Sequence, residues 1–333
     1  MTLMKSLYDD NRMCVRVGGE ESEWFESKIG LRQGCVMSPW LFNLYIDGVV
    51  REVSARVNGE GAKLINADGR VWELWQILFA DDTALVADSE EKLQKLVEEF
   101  GRVCERRKLR VNVNKSKVMR CTEREDGRRL NVSLNGELLE EVDKFKYLGA
   151  QIGKRGGVED DVSWRVGEAR KAAGTVKNLW KNVGLGMNAK RMLYEGIVVP
   201  TALYGAETWG LREAERRKLN VLEMGCLRSM CGLTLWNRVR NEEVRRRAHV
   251  EKQLSERVDQ SVLRWFGHME RMDEERMVKK VMNADVEGNR RRGRPRFGWM
   301  DGVRKALRAR DMTVEQGRQS ALNRREWRAI VRR

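Results

Sequence analysis

The chain has 333 residues, 35% charged and 41% hydrophobic, with a net charge of +15; that length allows two or three domains and a sizeable core. No stretch approaches the roughly 18 uninterrupted apolar residues of a membrane span, and Met1–Asp10 reaches acids before an apolar signal core could form. Six cysteines at irregular spacing (14, 35, 104, 121, 226, 231) make no disulfide framework, so the expectation is an intracellular protein, nuclear or cytoplasmic, not secreted and not in a membrane.

In chain order, residues 12–29 alternate loosely around Gly18-Gly19, which predicts a hairpin. Next comes "GLRQGCVMSPW", in which Ser38 suits a helix N-cap and Pro39 the first helical position. Leu41, Leu44, Tyr45, Val49 and Val53 follow at helical spacing. In "LFADDTALVA" two adjacent carboxylates, Asp81 and Asp82, stand between short apolar runs that suit strands. Asp88 and Glu91 offer a cap-like start to a second helix, whose apolar face is Leu93, Leu96, Val97, Phe100, Val103 and Cys104. The order is helix, hairpin, helix, an α+β layout. "LRVNVNKSKVMRC" and "KFKYLGAQIG" are predicted as further strands, and Gly149 lets the backbone turn or approach closely.

From Asp160 to about Asn283 helix formers dominate, punctuated by Gly184-Leu185-Gly186 and Val199-Pro200, which predicts a mainly helical second domain. Tryptophans at 180, 209, 236, 265, 299 and 327 recur, but their surroundings do not match one another, so they are expected as core anchors of unrelated helices. Cys226 and Cys231 are far from His249 and His268, and no zinc knuckle is predicted. From Gly288 to Arg333 there are fifteen Lys/Arg and four Asp/Glu, a net of +11, leaving +4 to the other 287 residues. Such a basic end is an electrostatic footprint for nucleic acid. Within it, Arg292-Gly293-Arg294-Pro295-Arg296 is similar to the extended segment that lies in the minor groove of A·T-rich DNA. A non-specific phosphate-binding arm is the preferred reading of those arginines. Trp299 is expected to anchor the helix that follows.

An acidic pair at a hairpin tip repels itself unless a cation offsets it. Polymerases hold two divalent ions with such carboxylates. Successive strand residues point to opposite faces, so only one of Asp81 and Asp82 can aim squarely at the ions. Alone the pair is a weak signal. Four segments in order are a strong one: "GLRQGCVMSPWLFNLYIDGVV", "ILFADDTALVA", "LRVNVNKSKVM" and "KFKYLGAQIG" resemble four consecutive motifs of the reverse transcriptases of LINE-type (non-LTR) retrotransposons.

That resemblance implies RNA-directed DNA synthesis with Mg2+ (or Mn2+), an RNA template, a DNA primer and deoxynucleoside triphosphates. It makes Asp81 the principal metal ligand and Asp82 its weaker partner. Phe79 and Ala80 would lie beneath the primer end, Gln33 and Gly34 against the nascent base pair, and Lys115 beside the leaving phosphates. Tyr147, Leu148 and Gly149 would form the primer grip. The expected layout is a partial palm over 1–157, a helical thumb-like domain over 158–287 and a basic nucleic-acid-binding tail over 288–333. In the family a third carboxylate sits on a strand several dozen residues before the Gln-Gly loop, where this sequence has only about thirty. Asp9 and Asp10 resemble the segment leading into that loop instead. The chain therefore looks like the carboxyl-terminal part of a reverse transcriptase, lacking fingers and first catalytic motif, and weak or inactive alone. The alternative is a non-catalytic nucleic-acid-binding remnant.

Overall fold

Gly18 and Gly19 adopt φ of 62° and 94°, a region glycine enters at no steric cost, and they turn the chain back on itself. The computed structural model describes residues 11–27, 30–66, 69–121, 128–286 and 297–332. Around that turn, strand β1 (Arg12–Met13) is separated from β4 (Phe25–Glu26) by β2 (Arg16–Val17) and β3 (Glu20–Glu21). β1 pairs with β4 and β2 with β3, both antiparallel, as the alternation predicted.

Helix α1 (Ser38–Ser54) carries Pro39 in its first turn, where the absent N–H costs nothing. Ser38 is not its cap. The hydroxyl donates instead to the Arg32 carbonyl at 2.7 Å, tying the helix to the loop before it. The buried face is Ile46, Val49 and Val53, with Phe42 packed behind, whereas Leu44 and Tyr45, expected there, are exposed. Apolar residues occupy both sides of this helix, so spacing alone allows two phases, and the packing partner selects one.

β5 (Ala62–Asn66) pairs antiparallel with β6 (Val71–Leu74), and β7 (Gln76–Phe79) with β8 (Asp82–Leu85). Helix α2 (Glu90–Arg106) is capped by Ser89, whose Oγ accepts from the Lys92 N–H at 3.2 Å, rather than by Asp88. It buries Leu96, Val97, Phe100, Val103 and Cys104 as the periodicity predicted, and Gly101 with them, while Leu93, expected on the same face, is half-buried. The strand predicted over "LRVNVNKSKVMRC" shrinks to β9 (Lys117–Val118). Before it, Asn112 Oδ1 accepts from the Lys115 N–H at 3.1 Å and bends Val113–Lys115 into one 3-10 turn.

β10 (Ser133–Leu134) and β11 (Glu137–Leu138) form a short antiparallel pair, and β12 (Glu140–Glu141) lies parallel to β9. "KFKYLGAQIG" is a hairpin, β13 (Lys144–Tyr147) and β14 (Ala150–Gly153), rather than one strand. Then come α3 (Glu159–Lys181), α4 (Met187–Leu193), a π-helical turn Tyr194–Val198, α5 (Val199–Ala202) and α6 (Glu213–Met230). Val199-Pro200 does not break this run: the wider π turn precedes the residue that lacks an N–H. α7 (Asn241–Ala248), α8 (Leu254–Glu270), α9 (Met277–Asn283), β15 (Ala284–Val286), α10 (Trp299–Arg308), α11 (Val314–Leu322) and α12 (Arg324–Arg332) complete the order, with β15 antiparallel to β5. Helices with small, mostly antiparallel sheets make the fold α+β.

Contacts divide the chain into two compact units, Met1–Gly61 with Trp75–Val111, and Ala62–Leu74 with Asn112–Arg333. In the first, Ile46, Val49, Val53 and Val57 meet Leu96, Phe100, Val103 and Cys104, with Leu78 and Leu85 of the β7–β8 hairpin against them. Glu52 takes the Arg107 guanidinium at 2.9 Å. In the second, one core runs from Val162 to Val331 and buries Trp180, Tyr194, Trp209, Leu227 and Phe266. Each large side chain so buried stabilises by roughly 1.5–3 kcal/mol.

The basic C-terminal stretch contributes to that same core through Val303, Leu307, Trp327 and Val331. The Trp327 indole donates to the Leu263 carbonyl at 2.9 Å. It crosses α8 at Gly267, where a Cβ would come within 2.0 Å of it. Trp180, Trp209 and Trp327 are core anchors as expected, and Trp299 packs against the core with its indole on the Glu207 carbonyl at 2.8 Å.

Candidate active site

The acidic pair lies where the alternation of β7 and β8 puts it. Phe79 is opposite Asp82 in register, leaving Ala80-Asp81 as a two-residue loop. Leu78 and Leu85 face the core of their unit, so Ile77, Phe79 and Asp82 share the outer face. Asp81 and Asp82 are both exposed, and among the described residues neither has a Lys or Arg ion-pair partner. Ala80 holds φ 51°, a left-handed conformation costing a residue with a Cβ about 1–2 kcal/mol. Strain of this kind gathers at functional sites, where surrounding structure enforces it.

Gln33 and Gly34 form an exposed turn, with Gly34 at φ 80° and the Cys35 N–H on the Arg32 carbonyl at 3.4 Å. The turn leads directly into α1. Lys115 ends the 3-10 turn capped by Asn112 and is exposed. It belongs to the second unit, as do Tyr147, Leu148 and Gly149.

Leu148 (φ 47°) and Gly149 (φ 82°) form the two-residue loop between β13 and β14. Two successive positive φ values match the twist of a tight hairpin. Helix α3 and its neighbours grip this loop. Arg165 donates to the Gly149 carbonyl and Tyr204 Oη to the Leu148 carbonyl, the latter at 3.2 Å. The Arg165 guanidinium lies 4.4 Å from the Trp164 ring and 4.2 Å from the Tyr204 ring. Lys146 Nζ sits 4.6 Å from the centre of the same Trp164 ring. Buried Asp161 accepts the Gln151 N–H at 2.9 Å and the Trp209 indole N–H at 2.8 Å.

Sequence reading missed Asp161, Arg165, Tyr204 and Trp209 as supports of this loop. Asp161 is one of three acids opening a helix, and nothing in the sequence marks it as the buried one. Arg292, Arg294 and Arg296 lie outside the described residues, as do Asp9 and Asp10.

Among the described residues no group of three or more His, Cys, Asp or Glu side chains stands ready for a metal. Cys226 is buried, and burial first, with the nearby Glu223 charge adding, pushes its thiol up to about 12. In the helical unit a cavity of about 470 Å3 is lined by Arg191, His249, Lys252, Arg264 and the Arg257–Glu195 ion pair. None of the catalytic, template-binding or primer-grip residues expected from the sequence lines it.

Residues 1–152, which hold the acidic hairpin and the Tyr147–Gly149 loop, match the family described as "Reverse transcriptase (RNA-dependent DNA polymerase)". The match is consistent with the reverse transcriptases of LINE-type (non-LTR) retrotransposons, which the chain resembles. The chain is 28% identical over 273 residues to an uncharacterized transposon-derived protein of Caenorhabditis elegans, covering 78% of this chain and 96% of that one. It is 24% identical over 250 residues to the RNA-directed DNA polymerase from mobile element jockey of Drosophila melanogaster, covering 72% and 26%. To the retrovirus-related Pol polyprotein from type-1 retrotransposable element R1 of Nasonia vitripennis it is 22% identical over 192 residues, covering 54% and 52%. The chain thus spans nearly all of the nematode relative, a quarter of the fly polymerase and half of the Nasonia polyprotein. No helix among the described residues is long and apolar enough to cross a membrane.

Proposed function

We propose that the chain carries the metal-binding hairpin of an RNA-directed DNA polymerase, with Asp81 as principal ligand and Asp82 as its partner. The observation that carries this reading is two exposed, adjacent carboxylates at a strained hairpin tip, without an ion-pair partner among the described residues, inside a reverse-transcriptase segment. An all-oxygen donor set with uncompensated negative charge suits Mg2+ or Mn2+. Asp81 and Asp82 would hold the divalent ions of such a site, which would supply activation of the primer hydroxyl from one ion and stabilisation of the leaving pyrophosphate from the other.

The remaining roles fall to side chains of this chain. Phe79 and Ala80, on and beside the outer face of the hairpin, support the primer end. Gln33 and Gly34 lie against the nascent base pair, where glycine permits close approach. Lys115 faces the leaving phosphates as a point charge. Tyr147, Leu148 and Gly149 hold the primer strand, aided by exposed Lys144 and Lys146 on the same hairpin. In this reading 1–157 is palm, 158–287 thumb, and 288–333 a tail whose Arg292, Arg294 and Arg296 contact phosphates. RNA template, DNA primer and deoxynucleoside triphosphates are the partners.

Two carboxylates hold a pair of ions less firmly than three, so this polypeptide by itself is expected to extend a primer weakly. Primer extension on an RNA template with magnesium tests this. Residual synthesis that Asp81→Ala abolishes supports the enzyme; robust synthesis by the purified chain refutes the expected weakness. The second reading, a non-catalytic nucleic-acid binder, is favoured by the concentration of charge in Gly288–Arg333. It gains if the chain binds duplexes and Asp81→Ala changes nothing measurable.

A further inference from the structure

Trp236 is 92% exposed and its neighbour Leu235 78% exposed, which makes this the most exposed tryptophan among the described residues. It departs from the core role expected of the C-terminal tryptophans. The loop between α6 and α7 that carries it is pinned at both ends. Within the Leu235–Asn237 3-10 turn, Asn237 Oδ1 accepts the Thr234 N–H at 2.7 Å and the Thr234 hydroxyl at 2.9 Å. Upstream, the Leu233 N–H reaches the Arg228 carbonyl at 2.8 Å, and Leu233 packs on the helical core. Downstream, Arg228 Nη2 donates to the Val239 carbonyl at 3.2 Å and to Asn241 Oδ1 at 2.8 Å. The loop thus holds its indole outward.

Stability does not account for this, because an apolar side chain left in water forgoes the gain from burial. Charge indicates what covers it. Arg245 is paired with Glu223, and Arg246 and Arg247 with Glu243. Arg238 and Arg240, two and four residues after Trp236 on the same loop, are exposed and in no ion pair among the described residues. An open aromatic face and two uncommitted guanidinium groups carried on one short loop match the chemistry of a nucleotide, a flat base with an anionic phosphate on each side. A duplex hides its base faces, so the match is to an unpaired strand.

We propose that the Leu235–Arg240 loop is a binding site for single-stranded nucleic acid, with Trp236 stacking on one base and Arg238 and Arg240 holding the adjoining phosphates. The site is independent of the polymerase reading, since it requires neither metal nor nucleotide. Recognition by stacking tolerates any base, and the site carries no sequence preference of its own.

The test is anisotropy of a short fluorescein-labelled oligothymidylate with the full chain, without divalent ions. Measurement at elevated salt suppresses phosphate contacts made elsewhere, the basic C-terminal stretch included, while leaving stacking largely intact. Trp236→Ala is expected to weaken binding roughly 5- to 100-fold, and Trp236→Phe, which keeps a ring, to recover most of that loss. At lower salt, Arg238→Ala should flatten the dependence of log affinity on log salt by about 0.7. Ultraviolet cross-linking should place the adduct at Trp236. An affinity for the oligothymidylate unchanged in Trp236→Ala, with that variant unfolding at the parental denaturant concentration, overturns the proposal.

Discussion

Asp161 accepts the indole N–H of Trp209 at 2.8 Å through Oδ2, while its Oδ1 takes the backbone N–H of Gln151 at 2.9 Å. One buried carboxylate therefore ties the helical core to the β13–β14 hairpin. Removing it leaves two donors unpaired. Asp161→Ala is expected to destabilise the chain by about 3–6 kcal/mol, since each of its two hydrogen bonds to a charged group is worth about 1.5–3 kcal/mol. Denaturant unfolding measures the loss, and hydrogen exchange at Gln151 should accelerate more than at Val103. Equal exchange at Gln151 in both proteins would show that the hairpin does not depend on this anchor.

Gly149 is required for two separate reasons. Its φ is 82°, and a Cβ there would lie 3.2 Å from Tyr204 Cε1 and 3.4 Å from an Arg165 guanidinium nitrogen. Gly149→Ala should cost about 1–2 kcal/mol from the backbone alone. It should also displace Arg165 from the Gly149 carbonyl. Thermal unfolding indistinguishable from the parent would contradict the crowding.

Glu223 is fully buried, paired with Arg245 at 2.9 Å and accepting the Leu254 N–H at 3.1 Å. Glu223→Ala strands a nearly buried guanidinium and is expected to cost about 3–5 kcal/mol. Desolvation raises the Glu223 carboxyl above its ordinary 4.5, more than Arg245 lowers it. The native state then binds the extra proton, so this group's contribution to stability falls as pH rises through the window above 4.5. Glu223→Gln should lack that downward slope. Parallel stability–pH curves for the two proteins would sink the assignment.

Burial raises the Cys104 thiol to about 11, and burial with Glu223 raises Cys226 to about 12. The thiolate is the reactive form. Iodoacetamide near neutral pH is expected to leave both unmodified in the folded chain and to alkylate both in denaturant. Mass spectrometry reads this directly; rapid alkylation of Cys226 in the native protein is the contrary result.

Asp81 and Asp82 make no described ion pair and face solvent, so their substitution by alanine should change stability by no more than about 0.5 kcal/mol. Any loss of primer extension in Asp81→Ala can then be assigned to chemistry rather than to folding. Melting curves for both variants check it.

The residue string by itself determined local structure wherever a single pattern was unopposed. Period-two apolar runs around Asp81-Asp82 required a hairpin, and the three- and four-residue spacing from Leu96 to Cys104 required one buried helix face. Gly18-Gly19 required a turn. The place of Asp81-Asp82 at the hairpin tip was legible for the same reason, because adjacent residues set it. Tertiary structure decided what depended on distant partners. It chose the buried phase of α1, exposing Leu44 and Tyr45, because that helix is apolar on two sides. It gave Asn112 a capping role that shortened a strand, and folded the basic C-terminal stretch into helices that supply Leu307 and Trp327 to the core. It singled out Asp161 from its acidic neighbours and left Trp236 in solvent while burying Trp209. Composition and spacing register a residue's own preferences, whereas burial, pairing and exposure are set by atoms that lie far away along the chain.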